Sequence, residues 1–324
     1  LERTAGGSSG GEGAIISAGG SPLGIGSDIA GSVRIPAAAT GIVSLKPTAG
    51  RVPNDGHLPA TPDAITTWNT AGPMARRVDD LALALSILSD TPVRDYREID
   101  LAGRRLTVYI NNRLIPVHPS VKETVSMAAD ELGRVGMDVV RDETLPLVKA
   151  SFAFSAIFAK QVIPGLKRDL GGDQSIRVHR ELVKHLIGRS KISLPVLFLT
   201  AFTELSGRLF GQFGYTDPAR LDRLRQQMID AMMPGGVLLC PMLVTPPPKH
   251  NWTYGTLFKL PYSFMFNALE FPASVVPIRM SEDGLPLAVQ IVGTPGEDET
   301  VLRVAAELER IYGGWQMADP TERS

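Results

Sequence analysis

The chain has 324 residues and a mass of 34.8 kDa, so it can bury a large core, and its length fits one large domain or two modest ones equally well. Hydrophobic residues make up 44% of the sequence and charged residues 21%, values that indicate an ordinary soluble globular protein and exclude a disordered one. The 33 basic and 34 acidic residues give a net charge of −1, which argues against nucleic acid or an anionic membrane as a partner.

The first predicted elements lie in the N-terminal third of the chain. Residues 13–20, "GAIISAGG", have the small and β-branched residues of a short buried segment, and the pattern leaves open whether it is a helix or a strand. Residues 79–88, "DDLALALSIL", repeat Leu and Ala at helical spacing behind two Asp residues, which favour a helix N-terminus. We therefore predict a helix there.

A strand, a helix and a second strand follow. Residues 105–110, "RLTVYI", predict a strand, and Ser120 and Glu123 have the spacing of a capping box that opens a helix. Residues 137–143, "MDVVRDE", predict the next strand. The apolar face of the helix between them is formed by Val121, Val125, Ala128 and Leu132.

The second half of the chain begins with a region of different character. Residues 151–233 carry aromatic and aliphatic residues at helical spacing, and we predict a helical insertion that shapes a substrate pocket. Short strands then return, and an amphipathic helix closes the chain over residues 297–314. The three returning strands are predicted at 235–241, 272–278 and 286–293. The fold class that follows is α/β, with a mixed, largely parallel central sheet covered by helices.

Membrane and targeting signals are not evident in the sequence. The longest apolar stretch, residues 194–202, is interrupted by Pro195 and Thr200 and is too short to span a bilayer. The chain opens "LERTAGG" without an initiator Met or a signal peptide, so we expect that the true N-terminus lies upstream. The single cysteine, Cys240, excludes an internal disulfide framework and has the surroundings of a small buried hydrophobic residue. We expect a cytoplasmic protein, and peripheral membrane association is compatible with the sequence.

The stretch of residues 6–36, "GGSSGGEGAIISAGGSPLGIGSDIAGSVRIP", is the part of the chain best suited to chemistry. A flexible linker is disfavoured because the stretch is too apolar. A phosphate-binding loop is disfavoured because no Lys precedes Lys46. Residues 7–11 match the nucleophile elbow G-x-S-x-G, but such an elbow follows several strands. A fourth interpretation uses Ser8 and Ser32 together, since both lie among glycines where backbone N–H groups can approach a reacting atom.

Three ordered segments carry a family resemblance: "GGSSGGEGA", "GIGSDIAGSVRIPAAATGIVSLKPTAGRVP" and "GPMARRVDDLALAL". They resemble the amidase signature family, whose members hydrolyse amides through a Ser, cis-Ser, Lys relay without a metal or cofactor. The resemblance implies that Ser32 is the nucleophile and Ser8 the bridging serine with a cis peptide. It further implies a single amidase signature domain over residues 1–324, without its N-terminal part.

The resemblance also assigns supporting roles around the nucleophile. The backbone N–H groups of four consecutive residues would form the oxyanion hole: Ile29, Ala30, Gly31 and Ser32. Ser9 would hydrogen-bond near the site. Asp28 and Arg34 would brace the loop, and whether they act only as loop-stabilising ions or take part in the chemistry stays open.

The sequence departs from the family pattern at two points. Ala30 stands where the family usually has a glycine, which narrows the pocket but keeps the N–H group. The catalytic Lys of the family lies upstream of the serine loop, so no residue of this chain is assigned to it. Lys46 belongs to the signature as a structural position, and we interpret it as a partly exposed loop lysine.

The C-terminal segments, including "TPPPKHNWTYGTLFKLPYSFMFNALEFPASVVPI" and "DGLPLAVQIVG", resemble the fatty acid amide hydrolase branch and its bacterial relatives. Fatty, aryl and short aliphatic amides are all compatible substrates. Aromatic and aliphatic residues of the insertion would line a hydrophobic acyl pocket or simply pack the core: Phe152, Phe154, Phe158, Leu197, Phe198 and Phe202. The five histidines are scattered and predict no metal site.

The sequence is compatible with an alternative function and with more than one oligomeric state. The alternative function is that of a non-catalytic, ligand-binding remnant, or of an amidotransferase-like subunit whose Lys comes from a partner chain. A homodimer is compatible with the sequence, which leaves the oligomeric state undetermined.

Overall fold

A computed structural model describes residues 2–58, 61–111, 116–171, 175–250 and 261–317. In these residues, strands and helices combine into one mixed sheet with helices on both faces. The strands are β1 Leu23–Asp28, β2 Val43–Lys46, β3 Thr70–Ala75, β4 Arg105–Val108, β5 Asp138–Arg141, β6 Val237–Pro241, β7 Ala273–Met280 and β8 Pro286–Gly293.

The helices alternate with these strands in two stretches and form a continuous run between β5 and β6. They are α1 Gly10–Ser17, α2 Arg34–Thr40, α3 Val78–Leu88, α4 Pro119–Arg134, α5 Leu147–Gln161, α6 Ile163–Asp169, α7 Val178–Leu186, α8 Leu194–Gln212, α9 Pro218–Met232, α10 Pro261–Ala268 and α11 Asp298–Tyr312. Two short 3₁₀ helices cover Asp63–Trp68 and Tyr96–Glu98.

The sheet has the strand order β1-β3-β2-β7-β8-β6-β4-β5. The predicted α/β class and mixed sheet are confirmed, but the expectation that the sheet is largely parallel is wrong. Of the seven neighbouring pairs in the described sheet, only β4 with β5 and β4 with β6 are parallel. A tight turn joins β7 to β8, where Ser281 N donates to Leu285 O at 2.7 Å, and such a short connection permits only antiparallel pairing. The parallel pairs arise where helices cross over between the strands.

The core lies on both faces of the sheet because successive strand residues point to opposite sides. On β6, Val237 and Leu239 pack into one apolar cluster, while Leu238 and Cys240 pack into another. The first cluster is covered by α3, α4 and α11, and the second by α5, α9 and α10. A third, smaller cluster joins α1 and α2 to the sheet and includes Ile16, Met74 and Val275. Helix α1 lies within the serine-rich stretch of residues 6–36 and α2 begins in it, so this cluster anchors the stretch to the sheet.

Most predicted elements are confirmed. The segment 13–20, left open as helix or strand, contributes to helix α1, and the predicted helices at 79–88 and 297–314 correspond to α3 and α11. Helices α5 to α9 confirm the helical character of residues 151–233. The predicted strands at 105–110, 137–143, 235–241, 272–278 and 286–293 correspond to β4, β5, β6, β7 and β8.

The start of α4 differs from the prediction. The helix and its buried apolar face are confirmed, but its N-cap is His118, whose side chain accepts a hydrogen bond from Ser120 N. Ser120 lies inside the first turn, and Glu123 forms an ion pair with Arg279 instead of closing a capping box. Pro119 occupies the first helical position, where its missing N–H costs nothing, so the cap falls on the residue before it.

In the described residues, no single helix is both long enough and apolar enough to cross a membrane. The pair Leu147–Gln161 and Ile163–Asp169 meets this requirement only when the two are taken together, and they are bent by 44° at their junction.

Candidate active site

The serine-rich stretch folds into a helix, a strand, a tight turn and a second helix. Helix α1 begins just after Ser9, and strand β1 ends at Asp28. Helix α2 begins at Arg34, so the turn of residues 29–33 connects β1 to α2 and carries Ser32. We call residues 29–33 the oxyanion turn. Every predicted site residue therefore lies on, or directly beside, the ends of these elements.

The two predicted catalytic serines lie on neighbouring backbone segments. Ser9 N donates a hydrogen bond to Ser32 O at 3.1 Å, which ties the segment of Ser8 and Ser9 to the oxyanion turn. The Gly7–Ser8 peptide bond is cis, as the resemblance implies for Ser8. Ser8 is exposed, while Ser9 and Ser32 are partly buried. Ser8 is thus the most exposed of these three serines and lies beside the turn.

The Asp28 carboxylate shapes the oxyanion turn. It accepts hydrogen bonds from Gly31 N at 2.6 Å and from Val33 N at 3.2 Å. Arg34 holds the same carboxylate with two donors, Nε to Oδ2 at 2.9 Å and Nη2 to Oδ1 at 3.0 Å. Both side chains are fully buried. Among the two interpretations of this pair, the geometry favours a brace for the turn.

The protonation of Asp28 is set by two opposing effects. Burial by itself raises the pKa of the carboxyl group, but the charge and hydrogen bonds of Arg34 lower it more, so that the pKa falls to about 2. Asp28 is therefore ionised at neutral pH. A buried carboxylate that accepts backbone N–H groups fixes the turn more firmly than a neutral group would.

The hydrogen bonds to Asp28 determine which backbone N–H groups among the four predicted oxyanion donors are not bonded to its carboxylate. The N–H group of Gly31 is engaged by Asp28, so of the four predicted oxyanion donors the remaining ones belong to Ile29, Ala30 and Ser32. Gly31 has φ +103°, and a Cβ atom there would lie 2.6 Å from Ser263 Cβ. Only glycine can adopt this positive φ and fit beside Ser263 without strain.

Two polar residues that the sequence analysis did not single out complete the brace. Asn267 of α10 donates through Nδ2 to Asp28 O at 2.7 Å and to Trp68 O at 3.0 Å, and its Oδ1 accepts from Arg34 Nη2 at 2.6 Å. Gln290 of β8 accepts from Arg34 Nη1 at 2.7 Å. Both side chains are fully buried. Each is a lone polar residue in an apolar run, "FMFNAL" and "PLAVQIVG", and that pattern was the signal available in the sequence.

The interpretation of Lys46 as a partly exposed loop lysine is wrong. It is the last residue of β2 and is fully buried, and Nζ donates to Pro47 O at 2.9 Å. Burial, together with the nearby charge of Arg34, lowers the pKa of Lys46 to about 7. All four residues of β2 are buried, and β2 lies in the interior of the sheet between β3 and β7.

Cys240 has the environment predicted for it. The thiol is fully buried on β6, and burial raises its pKa to about 12. Gln290 Nε2 lies 3.4 Å from Sγ. The thiol is therefore protonated and suited to packing.

The aromatic residues of the insertion separate into two groups. Phe154 stacks on Trp68 with a centroid distance of 5.3 Å and on Phe158 at 5.1 Å. Ile29 and Ala30 of the oxyanion turn pack against the apolar cluster that contains Phe154 and Trp68. Phe152 instead stacks on Phe210 at 4.2 Å.

The remaining predicted pocket residues belong to α8. Leu197 is fully buried and Phe198 is 38% exposed. Of the predicted aromatic residues, Phe154 and Phe158 belong to or pack against the same apolar cluster as Ile29 and Ala30 of the oxyanion turn.

The chain is similar to known amide-hydrolysing enzymes. A profile described as Amidase matches residues 1–302. Fatty-acid amide hydrolase 2 of Homo sapiens is 30% identical over 97% of this chain and 62% of the human protein. The 6-aminohexanoate-cyclic-dimer hydrolase of Paenarthrobacter ureafaciens is 29% identical over 95% of this chain and 67% of that protein.

A solved structure agrees with these sequence relatives. The structure of 6-aminohexanoate cyclic dimer hydrolase complexed with substrate matches with a TM-score of 0.75 and 27% identity, over 96% of this chain and 69% of the other. The chain spans 62% of the length of fatty-acid amide hydrolase 2, so it corresponds to part of that enzyme.

Proposed function

The chain belongs to the amidase family, and from that membership we propose that it is the serine-bearing part of an enzyme that hydrolyses carboxylic amides. The observation that carries the proposal is the buried brace of Asp28 and Arg34, which holds the turn of Ser32 by its backbone N–H groups. A turn fixed in this way offers N–H groups to a developing negative charge without reorganisation, which is the main requirement of acyl transfer.

In the proposed reaction, Ser32 Oγ attacks the amide carbon and forms the C–O bond of a tetrahedral intermediate. Ser8 receives the proton of Ser32 and passes it to a neutral lysine, which in this proposal lies outside residues 1–324. The carbonyl oxygen becomes negatively charged and accepts hydrogen bonds from the N–H groups of Ile29, Ala30 and Ser32.

The second half of the reaction returns the proton and frees the enzyme. The proton passes back through Ser8 to the amine nitrogen, the C–N bond breaks, and an ester remains on Ser32. Water then attacks this ester, and the carboxylic acid leaves as Ser32 regains its proton. Ser9 supports the arrangement through its backbone bond to Ser32 O.

A hydrophobic acyl group is the proposed substrate feature. Ile29 and Ala30 pack against the cluster that includes the stacked rings of Trp68 and Phe154, so an acyl chain bound at the turn would lie near an apolar, aromatic wall. The name of fatty-acid amide hydrolase 2, a relative of this chain, is consistent with that preference. Aryl and short aliphatic amides are the comparison substrates.

The experiment is a comparison of amide hydrolysis by the protein from the complete reading frame that encodes this chain. Decanamide, benzamide and propionamide are assayed for ammonia release, and we expect decanamide to give the highest kcat/KM. Ser32→Ala should lower kcat by about 1,000-fold or more, since residues of a nucleophilic relay act as a unit.

Ser86→Ala is the matched control, because Ser86 is exposed on α3 and α3 covers the other face of the sheet. It should leave kcat unchanged. Full activity in Ser32→Ala, or no ammonia release from any amide by the unaltered protein, would contradict the proposal.

A further inference from the structure

One segment of the helical insertion is strongly basic although the whole chain is not. Residues 160–191 contain eight Lys and Arg residues and three Asp and Glu residues, a net charge of +5, whereas the chain has a net charge of −1. The positive charge is thus concentrated in about a tenth of the sequence. This segment supplies none of the residues assigned to the serine site.

The basic residues converge on a cavity of about 510 Å³ beside helix α7. Its charged lining is Arg177, Arg180, Glu181, Lys184, Arg189 and Lys191. Among the residues that the structure describes, five cations therefore face one recess together with a single carboxylate. We call this recess the basic cavity.

The carboxylate in the basic cavity is already occupied. Glu181 is 8% exposed and accepts hydrogen bonds from Lys184 Nζ at 2.5 Å and from Ser190 Oγ at 3.0 Å. Across the part of the chain that the structure describes, no carboxylate forms an ion pair with any of the other four cations of the cavity: Arg177, Arg180, Arg189 and Lys191. Like charges held around one recess repel each other, and an anion bound between them relieves that repulsion.

The chemistry of these cations selects the class of anion. Guanidinium groups present donors in a planar fork that matches the oxygens of a phosphate group, and three of the four cations without an ion pair to a described carboxylate are arginines. We propose that the basic cavity is a binding site for a phosphate-bearing ligand. The phosphate group could belong to a free polyphosphate or to a lipid headgroup, since Leu186 and Ile187 at the end of α7 are 85% and 59% exposed beside the cavity.

The test measures both sources of phosphate with the intact protein. Inorganic tripolyphosphate is titrated by calorimetry at constant ionic strength. Sedimentation is measured with phosphatidylcholine vesicles that either contain or lack phosphatidic acid. The test variant is Arg180→Gln/Arg189→Gln, which removes two exposed cations of the cavity. The control is Arg134→Gln/Arg141→Gln, which removes the same charge from exposed residues of α4 and β5.

We expect the test variant to weaken binding by about tenfold or more, and the control to match the unaltered protein, because each lost guanidinium removes charge-assisted hydrogen bonds. Binding of tripolyphosphate identifies a free phosphate compound as the ligand. Binding only to vesicles with phosphatidic acid identifies a lipid headgroup.

No binding in either arm, or equal weakening by the test and control variants, overturns the inference. The readout is binding and not catalysis. Its outcome is therefore independent of whether Ser32 hydrolyses amides.

Discussion

At the scale of single residues, the site depends on a few buried charged groups, which are held by hydrogen bonds to other buried side chains. Asp28 is held by Arg34, and Arg34 is in turn held by Asn267 and Gln290, which come from parts of the chain more than 200 residues away. A buried ion pair of this kind stabilises little by itself, but removing one partner leaves an uncompensated charge. The arrangement therefore fixes the geometry of the oxyanion turn more than it adds to overall stability.

Lys46 gives a prediction on how stability depends on pH. Its pKa is about 7 in the folded chain and 10.5 as the ordinary value, so between these limits the unfolded chain binds a proton that the folded chain lacks. Through this group, the free energy of unfolding therefore increases as the pH rises from about 7 to 10.5. The penalty for burying Lys46 is greatest below pH 7, where the buried amine is charged.

Lys46→Met removes this titrating group and keeps most of its volume. We expect the variant to exceed the unaltered protein in urea midpoint at pH 6 and to show a clearly smaller advantage at pH 9, because the penalty for burying Lys46 is progressively relieved above pH 7. A difference between the two proteins that stays constant over this range would contradict a Lys46 pKa near 7.

Gly31 gives a prediction on the geometry of the turn. Gly31→Ala forces a side chain into φ +103° and against Ser263, which shifts the neighbouring N–H groups. The rate at which a fluorophosphonate probe labels the protein should fall by about tenfold or more. Gly11→Ala is the control, because a Cβ atom at Gly11 meets no atom within 4 Å. Equal labelling rates in both variants would mean that the turn tolerates a side chain at residue 31.

Most of the site residues could be predicted from the sequence, but the burial of their side chains could not. Ser8, Ser32 and Asp28 stand in a glycine-dense stretch that can be identified from the sequence. The burial of Lys46 could not be, since it depends on the interior position of β2 in the sheet, where one of its two neighbours is β7 from the distant C-terminal part of the chain. Asn267 and Gln290 were missed because a lone polar residue in an apolar run does not reveal which residue it bonds to.

At the scale of elements, periodicity predicted the long helices well. Helices α3, α4 and α11 carry apolar residues at helical spacing and were identified, with ends close to the predicted ones for α3 and α11. Strand β1 was missed because its sequence "LGIGSD" is rich in glycine and lacks the β-branched residues typical of strands. It is a strand because it pairs with β3 along its whole length. Tertiary pairing outweighs local propensity there.

The N-terminus of α4 gives a prediction at this scale. His118 accepts a hydrogen bond from Ser120 N, so His118→Ala leaves that donor without its cap and should lower the free energy of unfolding by about 1 kcal/mol. Chemical denaturation measures the change. His118→Asn, which keeps a capping acceptor, should recover most of the loss. If Ser120→Ala is far more destabilising than His118→Ala, the capping box would be the correct description after all.

At the scale of the whole molecule, the sheet brings distant segments to one site. Strand β1 lies at one edge of the sheet, yet its last residue, Asp28, is bonded to α10 and, through Arg34, to β8. The α/β class was predictable from the alternation of strands and helices. The strand order and the predominance of antiparallel pairs were not, because pairing between strands far apart in the chain leaves no local pattern.

The nucleophile is the central claim, and the most direct measurement is the site of covalent labelling by a fluorophosphonate probe. The protein is treated with the probe, digested, and the modified residue is located by peptide mass spectrometry, with Ser32→Ala in parallel. We predict an adduct on Ser32 that disappears in the variant, because attack by Ser32 requires the oxyanion turn to stabilise the charged intermediate. An adduct on Ser9, or one that persists in Ser32→Ala, would contradict the account.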